Sequence, residues 1–307
     1  MEASITLKKV GKLSGDITIF AGLTFGVERG SMVAIVGGNE AGKSTLLKIL
    51  AGVENPEFGS IFINGLDIVK RRIEIRSQVG YVPNKIDLDP WLTLEQNIRF
   101  TGYLFGLNDE TISNRLVSYA RDLGLVEFLH SPAHSVSSGT LKKTMVLRAL
   151  IHNPKILLLD DPTAFMDADS NSQTWNLLKS MKGAKTIIYC SQNLIEVENA
   201  HDRILVMQEG KIVLDGKLSR LLESFHEYTQ FQVEFETLSS KLYKKIILNP
   251  KVKNPSKSGK SIHFYGKERK VLFEVINTAA EAILVDFGLK KLGLQDLLEA
   301  KFSSAGL

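Results

Sequence analysis

Through residues 3–36 apolar and polar positions alternate in short stretches broken by Gly11, Gly15, Gly22 and Gly30, and this period of two predicts a small antiparallel sheet. The stretch SMVAIVGGNEAGKSTLLKILAG changes character, reading as a strand, a glycine turn and a helix that carries Leu46, Leu47, Ile49 and Leu50. GSIFINGLDI predicts a short strand pair. From about residue 93 the period becomes helical, with Leu94, Ile98 and Phe105 on one face and Ile112, Leu116, Ala120 and Leu123 on another. Thr93 and Gln96 stand at capping-box spacing before the first of these helices. Apolar runs return at 156–159, 186–189 and 204–207, separated by helix-like stretches, and predict a parallel α/β sheet.

After about Leu222 the pattern restarts: a strand at 231–235, a helix, a basic loop, a strand at 262–265, a helix at 271–280, a strand and a last helix. The expected fold class is therefore α/β. A phosphate-loop core with an antiparallel β subdomain and a helical insertion (about 84–145) fills residues 1–222. A small α+β accessory domain fills 223–307.

A chain of 307 residues, 44% hydrophobic and 23% charged without low-complexity tracts, has the composition of a globular protein of one large or two moderate domains. Its apolar runs fall short of the roughly 18 residues a membrane-spanning helix needs. The opening MEASITLKKVGKL reads as a strand, not a secretory signal. Cys190, the single cysteine, excludes an internal disulfide framework and leads to the expectation of a reducing, cytoplasmic setting. The net charge of +4 is uneven, since residues 241–270 hold ten Lys/Arg against one acid, Glu268. That segment reads either as a solvated loop or as a docking patch for an anionic partner such as lipid headgroups or nucleic acid.

GGNEAGKS, residues Gly37, Gly38, Asn39, Glu40, Ala41, Gly42, Lys43 and Ser44, fits the G-x-x-x-x-G-K-[ST] phosphate loop, after a strand and opening a helix. Glycines let backbone N–H groups curl around phosphate oxygens, and the helix N-terminus adds partial positive charge. Lys43 is expected to bridge the β and γ phosphates, and Ser44 to offer its hydroxyl to Mg²⁺. ILLLDDPTAFMD places two acids at the end of a buried strand. Asp160 is expected to hold Mg²⁺ through a water, opposite Ser44, and Asp161 to stand as general base for the attacking water.

The order of phosphate loop, helical insertion, VSSGTLKK and LLLDDPTAFMD resembles the ATP-binding-cassette (ABC) ATPases over residues 1 to about 220. WLTLEQNIRFTGYLFGL and the C-terminal extension are similar to the ATP-binding subunits of exporters of drugs, lipids or polysaccharides. The resemblance implies that Lys43, Ser44 and Thr45 bind phosphate and Mg²⁺, helped by the backbone of Asn39, Ala41 and Gly42. It implies that Asp167 lies in a loop crossing a dimer interface, and that Ser137 and Gly139 form the signature read by a second subunit's nucleotide.

The departures from the family are as informative. Asp161 stands where the family has glutamate, Gln192 where it has the histidine that contacts the γ-phosphate, and Asn84 where it has the nucleotide-sensing glutamine. The signature reads Val136-Ser137-Ser138-Gly139-Thr140 instead of LSGGQ. No aromatic residue stands near Ser14 to stack on adenine; Glu40 replaces a phosphate-loop glycine, a harmless change because related phosphate-loop ATPases also carry NEAGKST. A carboxylate one methylene shorter falls about 1 Å or more short of its water, a misplacement that costs on the order of 10²-fold. Loss of one aimed electrostatic stabiliser costs roughly 10²–10³-fold. ATP binding with slow hydrolysis is the expectation.

The implied partners are a second ATP-binding subunit, a heterodimer being favoured over a homodimer, and a membrane-embedded transporter subunit docked between about residues 84 and 130. The chain is thus expected on the cytoplasmic face of a membrane. The rival readings are a regulatory subunit that binds ATP without turnover, and a soluble ATPase acting on ribosomes or DNA; the single phosphate loop and the lack of a heptad run speak against the last, so nucleic acid is not an expected partner. Cys190 is expected at a buried strand end. His130, His134 and His152 lack metal-ligand spacing, and Lys142 and Lys143 are expected to be solvated.

Overall fold

A computed structural model of the chain describes residues 3–191, 193–200, 202–223, 229–279, 282–290 and 293–297. The chain divides into two compact units, Met1–Gly216 and Lys217–Leu307.

In the first unit β1 (Ala3–Ser14) and β2 (Ile17–Glu28) pair antiparallel, Ala3 opposite Glu28 and Ser14 opposite Ile17. Ile5, Leu7, Val10 and Val27 fill the inner face that the alternation predicts. The alternation stops at β3 (Met32–Val36), all five residues of which are buried, because this strand lies inside a second, parallel sheet. Helix α1 (Lys43–Leu50) follows, burying Leu46, Leu47, Ile49 and Leu50. Strands β4 (Phe58–Ile63) and β5 (Leu66–Asp67) are the predicted pair and complete the first sheet in the order β2-β1-β4-β5.

After α2 (Arg72–Arg76) comes β6 (Val79–Val82), a strand of four residues including Gly80, too short to be marked by periodicity. Helices α3 (Leu94–Leu104), α4 (Asp109–Asp122) and α5 (Ser138–Leu150) form the helical insertion. The capping box at Thr93 forms: its hydroxyl accepts from the Gln96 amide at 3.1 Å and the Gln96 side chain accepts from the Thr93 amide at 2.8 Å. Leu94, Ile98, Ile112, Leu116, Ala120 and Leu123 are all buried. Phe105 instead lies just past α3 and stacks on His152, ring centroids 3.8 Å apart.

β7 (Ile156–Asp160), α6 (Ala168–Ser180), β8 (Thr186–Cys190), α7 (Leu194–Ala200), β9 (Arg203–Gln208) and β10 (Lys211–Gly216) complete the unit. The main sheet runs β10-β9-β3-β8-β7-β6, parallel except for β10. The carboxyl ends of β3 and β7, which carry the phosphate loop and the paired acids, thus flank that of β8 at one edge of the sheet, where α/β folds place their ligands. Cys190 ends β8, fully buried, and burial pushes its thiol pKa well up, as befits an inert core thiol.

The second unit holds α8 (Leu218–Glu223), β11 (Thr229–Phe235), α9 (Ser240–Ile247), β12 (Lys253–Ser258), β13 (Ser261–Gly266), α10 (Lys270–Thr278) and β14 (Leu284–Lys290). Its sheet is antiparallel, in the order β12-β13-β11-β14, over a core that includes Phe231, Val233, Ile246 and Phe264. The basic stretch is not one loop as expected: it contains α9 and the edge strand β12, KNPSKS, which turns into β13 at Gly259. Lysine and proline hide a strand from pattern reading and yet are what an edge strand tolerates. Of the expected last helix residues 294–297 are helical, and the rest lies outside the described residues. Among the described residues no helix is long and apolar enough to cross a membrane.

Candidate functional site

The phosphate loop connects β3 to α1. An added Cβ on Gly37 would lie 2.0 Å from the Met207 carbonyl oxygen on β9, so only glycine fits there. Lys43 is nearly buried and curls over the loop, its Nζ donating to the carbonyls of Gly37 at 2.8 Å and Gly38 at 2.7 Å. Gly42 precedes α1 and no side chain caps the helix, which leaves the amides of its first turn for an anion. Glu40 takes φ 65°, a left-handed conformation that costs a non-glycine residue roughly 1 kcal/mol.

A cleft of about 700 Å³ opens over this loop, lined by Asn39, Glu40, Ala41, Gly42, Lys43, Ser44 and Thr45, and by Asn84, Asp160 and Asp161. Three segments far apart in sequence thus bring most of the expected residues to one cleft. The cleft is also lined by Ser14, Ile17, Thr18, Ile19 and Glu209, of which only Ser14 was singled out from the sequence. Ile17, 72% exposed, offers an aliphatic side chain to the cleft. Glu209 sits at φ 46° beside Gly210, in the turn between β9 and β10. The Glu-Gly pair signals a turn, but only the sheet order brings that turn beside the phosphate loop.

Asp160 ends β7 at 2% exposure, and no described residue donates to its carboxylate. A buried carboxylate without protein donors is costly unless a cation joins it, and Ser44 in the same cleft supplies a second oxygen; the pair fits Mg²⁺. Among the described residues no group of three His, Cys, Asp or Glu side chains could hold a metal by itself. Asp161 is half-buried at φ 48°, its amide donating to the Cys190 carbonyl at 3.0 Å. Its carboxylate accepts from the Asn84 side-chain amide at 3.2 Å. Gln192 lies outside the described residues; Ser191 before it is buried.

Lys142 and Lys143 are not solvated. Lys142 is fully buried and Lys143 6% exposed. Helix α5 sits under the site with no polar outer face at these positions, and the Lys142 ammonium finds three carbonyls, donating to Pro83 at 2.8 Å, Asn84 at 3.0 Å and Asp160 at 3.0 Å. Burial lowers its pKa to about 8, against the opposing pull of Asp160, Asp161 and Asp87. Burial likewise lowers the Lys143 pKa, with Asp167 opposing.

Ser137 and Gly139 do not line the cleft. They open α5, where the Ser137 hydroxyl accepts from the Thr140 amide at 3.1 Å and lies 2.9 Å from the Thr140 hydroxyl. A Cβ on Gly139 would come 2.8 Å from the Phe165 carbonyl, so the signature abuts the segment that carries Asp167. Asp167 caps α6 by accepting from the Ser170 amide at 2.8 Å, and that bond holds its pKa below the usual carboxylate range. Glu196 on α7, not anticipated from the sequence, accepts from Thr163 at 2.8 Å, Asn171 at 2.5 Å and Asn193 at 3.1 Å. It ties the start of α7 to the segment after Asp161.

The family pattern described as "ABC transporter" matches residues 20–164. The Nod factor export ATP-binding protein I of Cupriavidus pinatubonensis is 30% identical over 281 residues, spanning 90% of this chain and 85% of that protein. The ABC transporter ATP-binding protein NatA of Bacillus subtilis is 31% identical over 219 residues, 71% of this chain and 87% of that protein. Among solved structures, an ATP-binding subunit of an ABC transporter superposes with a TM-score of 0.67 at 27% identity, over 72% of this chain and 92% of that one. The dimeric bacterial cassette MJ0796 superposes with a TM-score of 0.64 at 26% identity, over 69% and 98%. The chain belongs to the ATP-binding proteins of ABC transporters, and its α/β phosphate-loop fold is theirs.

Proposed function

We propose that this chain is the energy-coupling subunit of an ABC exporter, binding Mg²⁺-ATP in the cleft and hydrolysing it slowly. The observation that carries the reading is the cleft itself, in which Lys43, Ser44, Asp160 and Asp161 converge over an uncapped helix N-terminus. Lys43 would exchange its bonds to the Gly37 and Gly38 carbonyls for phosphate oxygens. Ser44 and Asp160 would hold Mg²⁺, which when bound neutralises charge on the β and γ phosphates. Asp161 would orient the attacking water and take its proton, from a carboxylate one methylene shorter than glutamate and already bonded to Asn84. Gln192 can donate to a γ-phosphate but carries no charge. The export function printed for the Nod factor relatives supports the exporter branch.

Ser137 and Gly139 lie off the cleft, which fits a head-to-tail dimer in which each signature serves the other subunit's nucleotide; dimeric cassettes of the same fold support that geometry. Serine at 138 weakens the opposite site, so a homodimer places every defect in both sites, whereas a heterodimer with an unaltered cassette leaves one site less impaired. The membrane partner would dock on the helical insertion, placing the chain on the cytoplasmic face. Two measurements test this. Mg²⁺-ATP turnover by the chain alone should fall well under one per second, and several per second, within the ordinary enzyme range of about 1–10³ s⁻¹, overturns the slow-hydrolysis reading; binding without any phosphate release selects a regulatory subunit. Purification from membranes should bring along a hydrophobic subunit, and recovery with ribosomes or DNA instead overturns the exporter assignment.

A further inference from the structure

Helix α9 has two unlike faces. Leu242, Tyr243 and Ile246 pack on the core of the second unit. Lys241, Lys244, Lys245 and Leu248 follow the i, i+3, i+4, i+7 spacing that lines one side of a helix, and all four are exposed. Leu248 is 79% exposed, with Ile247 beside it half so at 36%. The Ser239 hydroxyl accepts from the Leu242 amide at 3.1 Å, so the helix is capped and its outer stripe is held in place.

Neighbouring lysines are spent inside the unit: Lys251 pairs with Glu274 at 2.5 Å, and Lys257 donates to the Leu238 carbonyl at 3.0 Å. The side chains of Lys241, Lys244 and Lys245 have no ion-pair or hydrogen-bond partner among the described residues, and the next elements add exposed Lys253 and Lys260. Such a stripe gains nothing for the fold, and its exposed leucine is a cost in water. Cations ringing an aliphatic tip match a bilayer interface, where the ammonium groups meet lipid phosphates while the aliphatic side chain enters the acyl boundary. The stripe has no aromatic or amide side chain to stack on or read a base.

We propose that the outer face of α9 docks on an anionic lipid bilayer, a contact additional to any made through a transporter subunit. The test uses the 307-residue chain without nucleotide, so that its failure is separate from failure of the ATPase reading. The chain is sedimented with vesicles of phosphatidylcholine alone and with vesicles containing phosphatidylserine. Binding should require phosphatidylserine and weaken as salt is raised. At roughly fivefold per cation, the triple variant Lys241→Glu, Lys244→Glu, Lys245→Glu should bind at least about 100-fold more weakly. Leu248→Ser should lose about tenfold with the charge unchanged. Charge reversal at exposed Lys70, Lys155 and Lys211 should leave binding as it is. Equal binding to neutral vesicles, no binding to either, an equal loss in the first-unit triple variant, or displacement from vesicles by duplex DNA each overturns the proposal.

Discussion

The side-chain ammonium of Lys142 donates to the backbone carbonyl of Asp160 at 3.0 Å from within the protein. The same nitrogen donates to the carbonyls of Pro83 and Asn84, so one buried side chain on α5 joins the segment that carries Asn84 to the strand end that carries the paired acids. Lys142→Met would leave three inward carbonyls without their donor. At about 1 kcal/mol or more for each, it should destabilise the first unit by about 3 kcal/mol in urea unfolding.

The same residue predicts a pH dependence. Its folded pKa is about 8 against an ordinary 10.5, so between these values the unfolded chain holds the proton that the folded chain has lost. The cost of burying the Lys142 charge is therefore present in full below about pH 8 and is relieved as pH rises, so stability increases with pH across the window. Unfolding free energies between pH 8 and 10 should show that rise in the native chain and lack it in Lys142→Met.

His152 predicts a slope in acid. Burial lowers its pKa from 6.5 to about 4, while its Nε2 bonds the Val79 carbonyl at 3.2 Å. From pH 6.5 downward the unfolded chain takes up a proton that the folded chain refuses, so stability falls toward pH 4. His152→Gln, which can still donate to Val79, should flatten that part of the curve; an unchanged slope would assign the acid loss to other groups.

Gly139→Ala places a methyl group 2.8 Å from the Phe165 carbonyl, a backbone atom with no rotamer to change. The expected cost is about 1–3 kcal/mol, read as a lower Tm, together with weaker ATP-dependent dimerisation because the segment leading to Asp167 must shift.

Much of the fold was legible because burial imposes period. Ile5, Leu7 and Val10 alternate, Leu94 and Ile98 recur at helical spacing, and the run ending at Asp160 is buried on both faces. β12 was not legible, because a strand paired on one side only has no need of β-branched residues. In the site, the phosphate loop and Asp160 announce themselves since their chemistry fixes type and spacing. Lys142 was misread because charge normally means solvent, and the carbonyls that satisfy it come from segments 59 and 18 residues away. Glu196 and Glu209 are ordinary acids in sequence and acquire meaning only through what α7 and the β9–β10 turn are packed beside.

The slow-hydrolysis account rests on the reach of Asp161. Asp161→Glu combined with Gln192→His should raise single-chain turnover at least about tenfold, since each restored group is worth on the order of 10² and the two act as a unit. No gain would mean that positioning at this site does not limit the rate.

The most direct test of the central claim is calorimetric titration of the chain with Mg²⁺-ATP. The account predicts saturable binding at one site per chain and a loss of at least about 100-fold in affinity in Lys43→Ala, the cost of removing a charge-assisted donor from the phosphates. Absence of binding heat, or an affinity untouched by Lys43→Ala, would contradict it.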